Sequence, residues 1–136
     1  MFRRILVPVD FTAKNRRAVR IAARLAATRG AELILLHVIE RVDAGEPRAY
    51  ADFYKKLEAN AREKMRALHA AGKGASSKAE IVYGRRVDEI LHYAAEKKID
   101  LIVMSSHRLA MRRGEDWGTI SYKVGILSRC PVLLVK

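Results

Sequence analysis

The chain has 136 residues, of which 50% are hydrophobic and 31% charged, a balance that favours one globular domain over a disordered segment. Lys and Arg outnumber Asp and Glu by 27 to 15, so the formal net charge is +12 at pH 7. No apolar run reaches the roughly 18 residues that cross a bilayer, and residues 1–10 lack the pattern of a secretory signal. The single cysteine, Cys130, excludes an internal disulfide. We therefore expect one cytoplasmic domain over residues 1–136, without a membrane segment.

Five short runs rich in Val, Ile and Leu are the predicted strands, and segments of helical period separate them. The predicted strands cover residues 5–9, 32–39, 81–83, 101–104 and 132–135, and the predicted helices cover residues 12–29, 48–70, 87–97 and 119–127. Runs that are apolar at nearly every position indicate strands buried on both faces, as in a parallel sheet covered by helices. The strict alternation predicts a doubly wound, three-layer α/β/α sandwich.

The first helix combines an apolar face with a basic face. Thr12 is the expected cap at its start, Gly30 is the stop signal, and one face carries apolar residues, namely Ala18, Ala22, Leu25 and Ala26. Seven arginines and Lys14 stand against one acidic residue, Asp10, within residues 1–30.

The basic residues of this region admit two interpretations. Their four-residue spacing predicts a solvated helix face. The alternative is a surface for nucleic acid or another anionic partner, made by Arg3, Arg4, Arg16, Arg17, Arg20 and Arg24. Because the sequence has no RNA-binding aromatic pattern, zinc-finger spacing or clear helix-turn-helix, nucleic acid is not the expected partner.

In an open α/β sheet, ligands bind beyond the carboxyl ends of the strands, where the strand order reverses. Asp10 follows the first strand, where it could accept a hydrogen bond from a ribose hydroxyl, hold a metal, or serve only as a turn residue. His37 and Val38 end the second strand, and His37 is predicted to be packed there instead of acting as a ligand. The four histidines are scattered and do not predict a zinc site.

The segment after the fourth strand is a candidate anion site. It contains Arg108, Arg112 and Arg113, and Gly118–Thr119 opens the last helix. Backbone N–H groups at a helix N-terminus favour a phosphate. The alternative is an exposed loop followed by a simple Gly-Thr helix start.

With these landmarks, the chain resembles the universal stress protein (UspA-like) family over its whole length. The matching segments are ILVPVDFTAKNRRAVRIAARLAATRGAELILLHVIE, DLIVMSSH and GTISYKVGILSRCPVLLVK. The resemblance implies a Rossmann-like fold, of the adenine nucleotide alpha hydrolase-like type, with a five-stranded parallel sheet of order 3-2-1-4-5.

Members of this family that bind ATP carry the pattern Gly-x2-Gly-x9-Gly-Ser/Thr after the fourth strand. The spacing is kept in this chain, but Ser105 and Arg108 occupy the first two glycine positions, and Gly118–Thr119 completes the pattern. Ser in a left-handed conformation costs on the order of 1 kcal/mol, whereas the Arg108 guanidinium could clamp a phosphate instead. By resemblance, the nucleotide contacts are Pro8, Val9, Asp10, Thr12, Val38, Met104, Ser105, His107, Arg108, Gly118, Thr119 and Ile120.

The resemblance implies a stress-response regulatory or binding module with a nucleotide-sized cleft. Because the sequence shows no nucleophile-base pair and no metal cluster, we expect no catalytic residues and no resident metal. One alternative is an ATP-binding switch or slow ATPase, with Mg bound alongside ATP and the phosphates held by Arg108 and Gly118–Thr119. The other is the basic-face partner above. A homodimer and an unidentified regulatory protein are the expected partners. The resemblance places the dimer interface on the last strand, at Pro131, Val132, Leu133, Leu134 and Val135.

Overall fold

A parallel sheet of five strands, in the order β3-β2-β1-β4-β5, is the central layer of the computed structural model, which describes residues 1–41, 50–72, 76–106 and 119–136. The strands are β1 (Arg4–Pro8), β2 (Glu32–Ile39), β3 (Ser77–Tyr83), β4 (Leu101–Ser105) and β5 (Val132–Val135). The helices are α1 (Asn15–Arg29), α2 (Ala51–Ala71), α3 (Arg86–Glu96) and α4 (Ile120–Leu127). The predicted fold class and strand order are confirmed.

The strand order reverses beside β1. This strand pairs with β2 from Arg4↔Glu32 onward and with β4 from Ile5↔Leu101 onward. The chain therefore winds outward from β1 to β3 on one side, then crosses to β4 and β5 on the other. The helices that follow β1 and β4, α1 and α4, pack on opposite faces of the sheet. The crevice between the carboxyl ends of these strands is where a doubly wound sheet binds its ligand.

Two apolar layers flank the sheet, because successive side chains of each strand point to opposite faces. On β2, Leu33 and Leu35 pack with α1 and α2, whereas Ile34 and Leu36 pack with α3 and α4. The alanine face of α1 lets that helix lie close against the sheet. Within the described ranges, no helix is both long and apolar enough to span a bilayer.

Several predicted boundaries and burials need correction. The strand β3 starts at Ser77 and not at residue 81. The prediction missed its first residues because they are mostly polar and lie on an edge strand, where burial is incomplete. The helix α1 starts at Asn15 and not at Thr12. Leu25, expected on the apolar face, is 37% exposed, while Ala22 and Ala26 are fully buried.

Candidate functional site

A cleft opens at the carboxyl ends of β1 and β4, where the strand order reverses. Its cavity volume is about 210 Å³, which is below the roughly 300–1,000 Å³ of a typical small-molecule site. The described residues therefore enclose only part of a ligand as large as a nucleotide. The lining comes from every layer of the fold: Pro8, Val9, Asp10, Thr12, Asn15, Leu36, Val38, Arg86, Ile90, Met104, Ser105, Thr119, Ile120 and Ser121.

Asn15 holds the polar wall of the cleft together. It is 1% exposed, and its Oδ1 accepts hydrogen bonds from the N–H groups of Asp10 (2.9 Å) and Phe11 (2.8 Å). Its Nδ2 donates to Ser105 Oγ at 3.1 Å. Phe11 has a φ of 65°, a left-handed conformation that is unfavourable for a residue with a bulky side chain. Asn15 thus fixes a strained turn and ties β1 to β4.

Asp10 lies in the turn after β1. Its Oδ1 accepts hydrogen bonds from the N–H (3.0 Å) and the hydroxyl (2.8 Å) of Thr12. Burial on its own raises the pKa of Asp10, but hydrogen bonds to the carboxylate, chiefly those from Thr12, outweigh it and hold the pKa below the ordinary 3.8. Asp10 is therefore ionised at neutral pH. The prediction that Thr12 caps α1 is wrong, because the N-cap position is Lys14 and Thr12 bonds to Asp10 instead.

The opposite wall of the cleft is apolar. Leu36 and Val38 on β2, Ile90 on α3 and Met104 on β4 line it, and all four belong to the core cluster on the α3 and α4 side. Their exposure does not exceed 6%, so this wall is an extension of the core with side chains fixed by packing. Such a surface suits the flat face of an aromatic base.

The N-terminus of α4 forms the third side of the cleft. Thr119 is its N-cap, and its Oγ1 accepts a hydrogen bond from the N–H of Tyr122 at 3.3 Å. Ile120 and Ser121 also line the cleft, so the first turn of α4 borders it. A helix N-terminus attracts anions through its free N–H groups and dipole. The predicted site residues His107, Arg108 and Gly118 lie outside the described residues.

The side chain of His37 lies on the same face of β2 as Leu33 and Leu35, which pack with α1 and α2. Its ring is 4.3 Å from that of Phe11, and its Nδ1 is 2.8 Å from the Val9 carbonyl oxygen, so Nδ1 carries the proton that it donates. Burial lowers the pKa of His37 more than its bond to Val9 raises it, and the charges of Arg86 and Lys64 lower it further. The prediction of a packed histidine is confirmed. Val38 lines the cleft and its neighbour His37 does not, because adjacent strand residues alternate between faces.

Arg86 is a cleft residue that the sequence reasoning missed. It is the first residue of α3, and its backbone N–H donates to Glu40 Oε1 at 3.3 Å. Its Nε lies 3.9 Å from the same oxygen. A positive charge one residue before the predicted helix start at residue 87 was the available signal. Only the tertiary fold, however, places α3 over the end of β2.

Acidic groups are scarce at the cleft. Of the described residues that line it, Asp10 alone is acidic. No group of three or more His, Cys, Asp or Glu residues able to hold a metal ion occurs in the described part of the chain. Within the described ranges, Asp10 is therefore the one carboxylate that the cleft offers to a divalent ion.

Comparison with known sequences places these features in a family. Residues 1–136 match the Universal stress protein family. The chain belongs to this family. A universal stress protein of Thermus aquaticus is 35% identical over 139 residues, and the match covers all of both chains.

Solved universal stress proteins share the fold. The structure of MJ0577 from Methanocaldococcus jannaschii is 29% identical, with a TM-score of 0.82 over 100% of this chain and 96% of that one. A universal stress protein in complex with cAMP is 26% identical, with a TM-score of 0.75 over 99% of this chain and 97% of the other. Their similarity extends over nearly the full length of both partners, so it includes the sheet edge that forms the cleft.

Proposed function

We propose that this universal stress protein binds an adenine nucleotide in the cleft between β1 and β4 and acts as a nucleotide-responsive binding module. The observation that carries the proposal is the composition of the cleft. It combines an apolar wall, an ionised Asp10 and a helix N-terminus at the point where the strand order reverses. The complex of a family member with cAMP supports the choice of an adenine nucleotide.

Each side of the cleft suits one part of the ligand. Val38 and Met104 offer packed apolar contact to the base. The Asp10 carboxylate, whose Oδ1 accepts hydrogen bonds from Thr12, can also accept one from a ribose hydroxyl. The N-terminus of α4 at Thr119 faces the phosphate, because its dipole favours negative charge.

A more specific form of this proposal is that the nucleotide is ATP, bound together with Mg. Among the described residues, Asp10 is the one carboxylate of the cleft and is assigned to the ribose, so the nucleotide's phosphates would supply the ligands of the ion. The ion would neutralise the phosphate charge. The triphosphate site predicted at Ser105, Arg108 and Gly118 stays a prediction, as does slow hydrolysis of ATP.

Isothermal titration calorimetry on protein stripped of nucleotide tests the proposal, with cAMP, AMP and ATP as ligands, each with and without Mg. We expect a micromolar Kd for at least one of them. Asp10→Asn removes a charge-assisted hydrogen bond and should weaken binding by roughly tenfold or more. The matched control is Asp52→Asn, at an exposed acidic residue in the first turn of α2, which should leave the Kd unchanged.

The outcomes distinguish nucleotide binding in general from the more specific proposal of a triphosphate site. No heat with any of the three ligands up to millimolar concentration overturns nucleotide binding. Binding of AMP and cAMP without tighter binding of ATP rejects the triphosphate site. Tighter binding of ATP that Arg108→Ala weakens supports a phosphate clamp, and release of inorganic phosphate would add hydrolysis.

We also propose that two copies of the chain associate through β5. This strand is at the edge of the sheet, with Leu133 40% exposed and Leu134 39% exposed. An apolar edge strand is prone to association unless another chain covers it. The regulatory protein partner and the cytoplasmic location stay predictions.

A further inference from the structure

One face of α1 carries a dense positive charge outside the cleft. The 15 residues of α1 include five arginines and no acidic residue. Arg16, Arg17, Arg20 and Arg24 are exposed and lie along the side that faces away from the sheet. In the described part of the chain, no ion pair or hydrogen bond engages these four guanidinium groups, which we call the α1 arginine face.

Helices α2 and α3 differ from α1 in this respect, because each contains acidic residues that lie close to its basic ones. On α2, Arg62 pairs with Glu58 at 2.7 Å, and on α3, His92 lies 3.2 Å from Glu96. Like charges four residues apart on a helix repel each other, so the α1 arginine face has an unfavourable self-energy in isolation. A polyanion laid along it would remove that repulsion.

We propose that the α1 arginine face binds the phosphate backbone of double-stranded nucleic acid without sequence specificity. Arg16, Arg20 and Arg24 recur at steps of about 6 Å along the helix axis, a spacing comparable with that of neighbouring phosphates on one strand. Every cation on this face is an arginine, whose planar guanidinium engages phosphate in bidentate fashion. Binding releases condensed counterions from the duplex, which drives association.

The composition of α1 favours a duplex over the other polyanions. Non-specific binding of single strands relies on aromatic side chains that stack on bases, and α1 contains none. An amphipathic helix binds a membrane by inserting its apolar face, but the apolar residues Ala18, Ala22 and Ala26 of α1 are fully buried in the core.

The structure also restricts which arginines take part. Arg4, included in the basic surface expected from the sequence, lies 3.5 Å from Glu32 and donates to the Lys97 carbonyl oxygen at 2.8 Å. The charge of Arg4 is therefore already paired, at the N-terminal end of β1. Lys64 on α2 is a separate cation near the start of α1, with its Nζ 5.5 Å from the centre of the Phe11 ring.

Fluorescence anisotropy of a labelled DNA duplex, measured at several salt concentrations, tests the proposal. Four phosphate contacts give a log–log salt slope of about −3.6, so affinity should fall by about 150-fold between 50 and 200 mM salt. The test variant replaces all four arginines of the α1 arginine face with Gln, which keeps helix propensity. We expect its slope to fall to less than half that of the wild type.

The control variant removes four charges from outside α1, with Gln at Lys97, Lys123, Arg129 and Lys136, all exposed. It should keep the wild-type slope and an affinity within about threefold of the wild type. Circular dichroism melting of both variants checks that each folds. Equal weakening in the two variants would show that net charge alone acts, and this overturns the proposal. Absence of duplex binding at 20 mM salt, or preferential binding to phosphatidylserine vesicles, overturns it as well.

Discussion

Asn15 is the residue on which the polar half of the cleft depends. Its side chain accepts hydrogen bonds from two backbone N–H groups and donates one to Ser105, at 1% exposure. A buried hydrogen-bonding hub of this kind is costly to remove, because its partners lose bonds that water cannot replace.

Replacing Asn15 with Ala should lower the free energy of unfolding by about 2 kcal/mol, since two N–H groups lose their acceptor. The same substitution should weaken nucleotide binding, because the turn that carries Asp10 is no longer fixed. Urea unfolding measures the first effect and calorimetry the second. Asn60→Ala, at an exposed position on α2, is the control and should change the unfolding free energy by less than about 0.5 kcal/mol. Equal effects of the two substitutions would contradict the role given to Asn15.

His37 makes stability depend on pH. Its pKa is below the ordinary 6.5 in the folded protein, chiefly through burial, so the unfolded chain takes up a proton at a higher pH than the folded one. The free energy of unfolding therefore falls as the pH drops through 6.5 and below. Part of this fall belongs to His37, with the charges of Arg86, Asp10 and Lys64 around it.

His37→Gln should reduce the loss of unfolding free energy between pH 7.5 and pH 5.5, as measured by urea titration at each pH. His92→Gln is the matched control, because the His92 side chain is 72% exposed. If the His37 variant loses as much stability as the wild type over this range, the argument from burial is wrong.

At the scale of elements, apolar strands were easier to predict than the start of α1 or the polar start of the edge strand β3. The boundaries of β2 and β5 match the prediction, because their apolar runs end at polar or turn residues. The start of α1 was misplaced because Thr12 has a side chain suited to an N-cap, but its hydroxyl donates a hydrogen bond to Asp10 instead. The polar start of β3 carries no apolar signal, and only its pairing with β2 reveals it.

The candidate site was also predicted only in part. Asp10, Val38, Met104 and Thr119 were named from the resemblance and converge on the cleft. By contrast, the buried Asn15 and the rim residue Arg86 went unnoticed, since each depends on a neighbour distant in sequence. Asn15 meets Ser105, 90 residues away, and Arg86 meets Glu40, 46 residues away. Such contacts leave no trace in local spacing.

Two glycines, one at the end of a helix and one inside a helix, should respond in opposite ways to replacement by alanine. Gly30 ends α1 with a φ of 64°, and Gly125 lies inside α4, while a Cβ at either position would meet nothing within 4 Å. Steric clash is therefore absent at both, and only backbone conformation distinguishes them. Gly30→Ala should destabilise by about 1 kcal/mol, because Ala disfavours the left-handed region.

Gly125→Ala should stabilise by about 0.5–1 kcal/mol, because Ala loses less conformational freedom in a helix interior. Urea unfolding of the two variants side by side provides the measurement. Destabilisation by Gly125→Ala, or no change for Gly30→Ala, would show that contacts beyond the described ones control these positions.

At the scale of the whole molecule, the open question is how the chain covers its β5 edge. Leu134→Glu places a charge on this strand and should shift the protein from dimer to monomer, as measured by light scattering coupled to size exclusion. Leu25→Glu, which introduces the same charge at an exposed leucine on α1, should leave the dimer intact. A monomeric wild type at micromolar concentration would contradict the proposed association.

The two proposed surfaces use different side chains, although Arg16 directly follows the cleft residue Asn15. The cleft is at the carboxyl edge of the sheet, whereas the α1 arginine face is on the outside of one helical layer. Neither cleft binding nor duplex binding uses a side chain of the other, so substitutions on one surface should leave the other function unchanged.

Amide chemical shifts recorded by NMR during a titration with AMP test nucleotide binding at the cleft most directly, because they report both affinity and location. We expect shifts that fit one Kd and cluster on the cleft, at Asp10, Val38, Ser105 and Ile120, while the amides of Arg16 to Arg24 stay in place. Absence of shifts up to millimolar AMP, or shifts confined to α1, would contradict nucleotide binding at the cleft.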